Sequence, residues 1–381
     1  YHTVALKGDG TGTPGVPGDV NGDGVVRWAV LGDSYISGEG LIPPVSDGDP
    51  TVHYLEDTDI ARNHCHRAET SWAYTLAESY GATGSNLLFV PCSGAVVADI
   101  VARGQYPLSP GTVAGSRPQL DYLKAFAKQG AVDAVLLSIG GNDAKFGDVI
   151  KDCYVKNGCD PMMDRSVTSE IDRMENNVAY TVQEIRRATG AQVFVANYVS
   201  PLDPGGLCNA DTNTGPMQFD QTEQDRVSEY INAVDNAVSG AASGAGANLV
   251  DLSIAFKGKG LCSGAHYVNG LRKGIDVVSG LSLSLSGIVG KVVSLSIASE
   301  SYHPPQYGHA ALYTAARAAV SAKLGSPVTP SLSGIGLQQA STLSTQYLQG
   351  TVSGTTLLYS AASAQRIVVT RHSLPVIIQR A

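Results

Sequence analysis

Trp28-Ala29-Val30-Leu31-Gly32-Asp33-Ser34-Tyr35-Ile36-Ser37-Gly38-Glu39-Gly40 sets a short apolar run against a glycine-rich polar turn that carries a serine. A run of this length bounded by chain breakers predicts a buried strand. Ligands of open α/β sheets bind outside the carboxyl ends of the strands. Ser34 therefore stands where chemistry is done, and it is the first candidate nucleophile. Gly-Asp-Ser alone decides little, because a Ser or Asp at such a turn also serves as a plain helix N-cap.

Three further blocks matter, two of which repeat the pattern of strand followed by polar turn. Leu87-Leu88-Phe89-Val90 leads into Cys92-Ser93-Gly94-Ala95, and Ala134-Val135-Leu136-Leu137-Ser138 leads into Ile139-Gly140-Gly141-Asn142-Asp143. Near the far end stands Glu300-Ser301-Tyr302-His303-Pro304-Pro305-Gln306-Tyr307-Gly308-His309, ahead of a helical stretch from around Ala310. Between the blocks the apolar period is helical: Ile171, Met174, Val178, Val182 and Ile185 form a stripe that stops at Gly190, and Val227, Tyr230, Ile231, Val234 and Val238 form another. Gln192-Val193-Phe194-Val195-Ala196 and Ala247-Asn248-Leu249-Val250-Asp251 read as further strands. Alternating strands and helices predict an α/β fold, a three-layer α/β/α arrangement around a central parallel sheet.

These four blocks together resemble the SGNH (GDSL) hydrolase family, whose marker residues fall here on Ser34, Gly94, Asn142 and His303. The resemblance covers about residues 28–325 and implies the flavodoxin-like fold of that family. It points to the family's secreted actinobacterial lipases and esterases, where the long serine block, an Asn-x-Cys-His-Arg segment (Asn63 to Arg67) and a Ser-Tyr-His-Pro segment occur together. It implies an extracellular serine esterase or lipase that works without metal or cofactor. A carbohydrate O-acetyl esterase or a phospholipase of the same fold is the alternative. The implied partner is an ester, an acyl lipid or an acylated small molecule or glycan, with interfacial lipid contact possible in principle.

The residue types suit acyl transfer. An alcohol is a poor nucleophile until a base takes its proton, and imidazole titrates near neutrality, so His303 is suited to activate Ser34. The resemblance assigns the oxyanion donors to the backbone N–H groups of Ser34 and Gly94 and to the side-chain amide of Asn142, neutral donors of the kind such sites use. The third member is open. Glu300, three residues before His303 where the family usually has Asp, could orient the imidazole, or a main-chain carbonyl of this segment could hold it, as the resemblance implies. His309 is a competing base but falls within the following helix. Asp33 is read as a turn-fixing acceptor of backbone N–H groups and Asp251 as a loop cap.

Composition excludes other classes. The 381 residues carry 26 Lys and Arg against 34 Asp and Glu, a net charge of -8, which leaves no electrostatic footprint for nucleic acid. Residues 277–299 nearly match a bilayer span in length, but their serines, glycines and Lys291 argue against a transmembrane segment. Their alternating Leu and Ser predict a half-buried strand or flap whose leucines could line an acyl pocket. The six cysteines permit 15 pairings. The family resemblance implies Cys65-Cys92, Cys153-Cys159 and Cys208-Cys262, and bridges imply export. A zinc site is disfavoured, since there is no Cys-x-x-Cys and His64-Cys65-His66 is too tightly spaced.

Residues 1–27 read as a linker or the remnant of an upstream calcium-type repeat. Asp19, Asn21 and Asp23 have the alternate spacing of calcium ligands, yet the twelfth position is Val30, where a bidentate Glu would be needed. A non-enzymatic adhesion module built on such repeats fits the rest of the chain poorly. Residues 28–325 read as the hydrolase domain. Residues 326–381, with no Asp or Glu and with Arg366, Arg371 and Arg380, read as an extension of unknown role.

Overall fold

The computed structural model describes residues 15–41, 54–55, 64–105, 117–155, 159–202, 220–261, 263, 267–270, 277–285, 293–298, 301–327, 336–339, 347–352 and 355–360. Two compact units divide it, Tyr1–Pro327 and Val328–Ala381.

The first unit is built on a sheet of five strands: β1 (Trp28–Gly32), β2 (Leu87–Phe89), β3 (Ala134–Ser138), β4 (Gln192–Ala196) and β5 (Asn248–Val250). All pairings are parallel and the order is β2-β1-β3-β4-β5. This order reverses direction between β1 and β3, where chain crossovers leave to opposite sides, and such a switch point opens a crevice for ligand. The helices are α1 (Ser34–Ser37), α2 (Trp72–Ser79), α3 (Val97–Val101), α4 (Gln119–Ala127), α5 (Phe146–Val155), α6 (Arg165–Thr189), α7 (Gln221–Gly244) and, last in the unit, α8 (Gln306–Leu324). One group packs α1 on α2 and α2 on α8, and another joins α3, α4, α6 and α7; both α2 and α4 also touch β1. With helices on both sides, every residue of β1 and β3 is buried, which is why both strands read as unbroken apolar runs.

The long helices begin and end as their sequences require. Asp164 caps α6 by accepting from Ser166 N–H at 2.7 Å, and Gly190, at φ 68°, stops it in the left-handed conformation that glycine adopts without strain. Asp220 and Glu223 form a reciprocal capping box at the start of α7. The expected apolar stripes, Ile171 to Ile185 and Val227 to Val238, are buried. Helix α8 starts at Gln306, four residues before the expected Ala310, directly after Pro304-Pro305. Proline lacks an N–H and is tolerated only at such a beginning.

Residues 15–27, read in the sequence as linker or remnant, pack against this unit. The Asp133 carboxylate, just ahead of β3, accepts from the backbone N–H groups of Val20, Asn21 and Arg27 and from the Asn21 side chain. Trp28 is fully buried, and its indole N–H donates to Gly18 O.

An antiparallel pair, β6 (Val277–Leu285) and β7 (Val293–Ala298), precedes α8; its side chains lie outside the described residues. The second unit contains β8 (Gly336–Gln339), β9 (Tyr347–Val352) and β10 (Thr355–Ser360), an antiparallel sheet in the order β10-β9-β8.

Candidate active site

The site is assembled at the carboxyl edge of β1 and β3, the switch point of the sheet. Gly32 ends β1 at φ 139°, and a Cβ there would stand 2.0 Å from the Ser138 carbonyl oxygen, so only glycine lets β1 and β3 run this close together. The Gln119 side chain braces this end by accepting from Gly32 N–H and donating to Gly32 O, both at 2.8 Å. Asp33 then turns the chain: its N–H donates to Ser138 O at 2.9 Å, and its carboxylate accepts from Tyr35 N–H at 3.1 Å. Burial pushes this carboxyl up to about 7, and the charge of Asp143 adds to the effect, against the hydrogen bonds from Tyr198 and Tyr35.

Ser34 opens α1, and its Oγ lies 2.7 Å from His303 Nε2. The other ring nitrogen, Nδ1, lies 3.1 Å from the Ser301 carbonyl. A carbonyl can only accept, so Nδ1 carries the proton and Nε2 presents its lone pair to the serine hydroxyl. The histidine loop is held from several sides. Asn269 N–H donates to His303 O at 2.9 Å, Tyr302 N–H donates to Asn269 O at 3.0 Å, and the Asn269 amide donates to Gly40 O at 3.0 Å. The Tyr35 hydroxyl donates to Tyr302 O at 2.8 Å. Tyr302 itself sits at φ 64°, a conformation a non-glycine residue holds only when its surroundings impose it. Glu300, the sequence candidate for the third member, lies outside the described residues.

Gly94 has φ 76°. A residue with a Cβ would be strained in this left-handed conformation, which glycine adopts freely. The Asn142 amide donates to Ala95 O at 2.9 Å and so ties the Asn142 loop to the Gly94 loop. Asp143 accepts from Val97 N–H at the start of α3, and burial foremost pushes its carboxyl up to about 6. The Cys65-Cys92 disulfide is present, and Ser93 N–H donates to Cys65 O at 3.1 Å. The Cys153-Cys159 disulfide is present at the end of α5. Cys208 and Cys262 lie outside the described residues.

Ser34, Asn142 and His303 face one cavity of roughly 920 Å³, counted with the part open to solvent at its mouth. Gly94 is not among its lining residues. Its apolar lining includes Phe146 and Ile150 of α5, Val199 after β4, and Ile231 and Val234 of α7.

The remaining candidates lie elsewhere. His309 is buried, accepts from Trp72 N–H at 3.2 Å, and is pushed down to about 3 by burial, which leaves it neutral and structural. Asp251 accepts from the Asn197 amide and from Ser253, as a loop cap does. Asp19 accepts from Gly22 and Gly24 N–H, Asn21 from Asp23 N–H, and Asp23 from Val25 N–H, so the oxygens of the calcium-like loop hold the turn itself. Among the described residues no group of three His, Cys, Asp or Glu side chains is gathered for a metal ion, and no helix is long and apolar enough to cross a membrane. Residues the sequence reading missed are Tyr198, Asn269 and Gln119. Tyr198 follows the carboxyl end of a predicted strand by two residues, which places it near the site without marking it as a brace.

The sequence profile of the GDSL-like Lipase/Acylhydrolase family matches residues 30–311, most of the chain. The chain belongs to this family. As a GDSL-like lipase/acylhydrolase it is a carboxylic ester hydrolase. It is 25% identical over 251 residues to a lipase of Streptomyces rimosus, covering 64% of this chain and 75% of that one. It is 27% identical over 268 residues to Lipase 2 of Streptomyces coelicolor, covering 66% and 78%. Among solved structures it is similar to the extracellular lipase of Streptomyces rimosus, with TM-score 0.49 and 20% identity over 77% of this chain and 99% of that one. It is also similar to phospholipase A1 of Streptomyces albidoflavus, with TM-score 0.47 and 21% identity over 75% and 95%.

Proposed function

We propose that this ester hydrolase is an extracellular serine esterase or lipase that forms an acyl-enzyme on Ser34 with His303 as its base. The observation that carries this reading is the pair of contacts on one imidazole, Nε2 to Ser34 Oγ at 2.7 Å and Nδ1 to Ser301 O at 3.1 Å. Ser34 attacks the ester carbonyl while its proton passes to Nε2, and the carbonyl electron pair moves onto oxygen. The backbone N–H groups of Ser34 and Gly94 and the Asn142 amide stabilise that oxyanion. Collapse expels the alcohol, which takes the proton from Nε2; water then repeats the sequence and releases the acid. The Ser301 carbonyl keeps the proton on Nδ1 throughout, the orienting role of the acid in a full triad.

Acyl preference follows from the wall chemistry. A cavity lined by Phe146, Ile150, Val199, Ile231 and Val234 stabilises each buried CH₂ by about 0.8 kcal/mol. An aliphatic acyl chain is therefore favoured over acetyl, which separates this reading from a carbohydrate O-acetyl esterase. Export is supported by the two disulfides among the described residues, since such bonds persist in oxidising compartments.

The test is the initial rate on p-nitrophenyl esters from acetate to palmitate. The expected result is a maximum beyond acetate, with Ser34→Ala at the blank rate. A maximum at acetate would overturn the acyl assignment, and full activity in Ser34→Ala would overturn the nucleophile.

A further inference from the structure

Tyr198 is buried two residues beyond the carboxyl end of β4, and its phenol oxygen joins two loops of the site. It donates to Asp33 Oδ2 at 2.5 Å and accepts from Gly141 N–H at 2.8 Å. Asp33 immediately precedes the nucleophile Ser34, and Gly141 immediately precedes Asn142. The phenol is itself fixed: Tyr198 N–H donates to Asp235 at 2.9 Å, and its ring meets Tyr35 edge to face with centroids 5.3 Å apart. Gly141 is not in a left-handed conformation, so backbone freedom does not explain it. A Cβ at 141 would stand 3.1 Å from Tyr198 Cζ and 3.2 Å from its hydroxyl oxygen. The second glycine of the Gly-Gly-Asn-Asp block thus makes room for this phenol.

We infer that Tyr198 is a positioning residue that sets the Asn142 amide relative to Ser34, and so tunes transition-state stabilisation in the reaction proposed above, on which this inference rests. The linkage runs from Ala95 O to the Asn142 amide, from Gly141 N–H to the phenol, and from the phenol to Asp33 and the nucleophile. Oxyanion donors act only when held close to the productive geometry, within about 0.5 Å. A misplacement of about 1 Å can cost on the order of 100-fold. Tyr198→Phe keeps the ring and removes only the oxygen, which releases Gly141 N–H and Asp33 together. Substrate binding in the ground state depends less on the amide than the oxyanion does, so the loss falls on kcat.

The experiment measures kcat and KM on the best p-nitrophenyl ester, with active sites counted by complete reaction with a p-nitrophenyl alkylphosphonate. Tyr198→Phe is expected to lower kcat per active site by about 10-fold or more, with KM within about 3-fold. In an Asn142→Ala background the same change is expected to cost less than about 2-fold, because two residues that act through one contact are not additive. An unchanged kcat per active site, or an equal loss in both backgrounds, would overturn the inference; the first would mark Tyr198 as a packing residue only. Should Tyr198→Phe fail to fold, Gly141→Ala presses on the same phenol and is judged by the same two criteria. Ser34→Ala is run alongside: if it retains activity, the underlying reaction has failed rather than the role of Tyr198.

Discussion

The Tyr35 hydroxyl donates to the main-chain carbonyl of Tyr302 at 2.8 Å, joining the residue after Ser34 to the residue before His303 across 267 positions of sequence. Ser34 leaves the sheet at the end of β1 and His303 arrives on a loop from the far end of the chain. Their 2.7 Å contact therefore depends on bonds between their neighbours.

Removing that bond takes away a buried hydrogen bond, a change of about 1 kcal/mol. Tyr35→Phe is expected to lower the thermal midpoint and to reduce kcat several-fold, with KM little changed. A variant with the parent's midpoint and kcat would show that this bond does not hold the loop.

The cavity wall makes a prediction about chain length. Val234 is buried on α7 and faces the cavity with Ile231. Val234→Phe takes up part of the apolar space, so the rate on octanoate and longer esters should fall by about 10-fold or more while butyrate changes by less than about 3-fold, an effect of a few methylenes at about 0.8 kcal/mol each. A uniform loss across the series would place the acyl chain elsewhere.

Stability should fall from mildly acidic to neutral pH through the buried carboxyls. Burial pushes Asp235 up to about 7 in the folded chain, against the ordinary 3.8. Between these values the folded state holds a proton that the unfolded state has lost, so stability is fully present below about 4 and declines as pH rises through about 7. Asp33 acts in the same sense. His309, held neutral down to about 3, acts in the opposite sense below 6.5. The difference between parent and Asp235→Asn isolates one group: relative to the variant, the parent should lose stability between pH 5 and pH 8 in urea unfolding. A difference that does not change with pH would contradict the buried, protonated state of Asp235.

Much of this was legible in the chain because it rests on local physics. Strands β1, β3 and β4 are buried on both faces and announce themselves as apolar runs, and α6 and α7 carry their stripes and caps in plain sequence. Ser34, Gly94, Asn142 and His303 were candidates from the sequence because each follows or accompanies a motif at an element end; the structure brings Ser34, Asn142 and His303 to one cavity, and Gly94 is not among its lining residues. Gln119, Tyr198 and Asn269 were not, because each acts through a polar contact to a residue far away in sequence; the Tyr198 bond to Asp33 spans 165 positions, and nothing local marks a core tyrosine as a brace. Asp133 likewise gave no hint that it would gather the Asp19–Gly24 turn. The expectations for Glu300, for Cys208-Cys262 and for the leucine side chains of 277–299 fall outside what is described.

The pairing of Ser34 with His303 is tested by covalent capture. The protein is treated with a p-nitrophenyl alkylphosphonate, digested, and mapped by mass spectrometry, with the inactivation rate measured for the parent and for His303→Ala. The assigned reaction requires a single adduct on the peptide containing Ser34, and a rate in His303→Ala lower by on the order of 100- to 10,000-fold. An adduct on another residue, or capture of Ser34 at the parent's rate without His303, would contradict it.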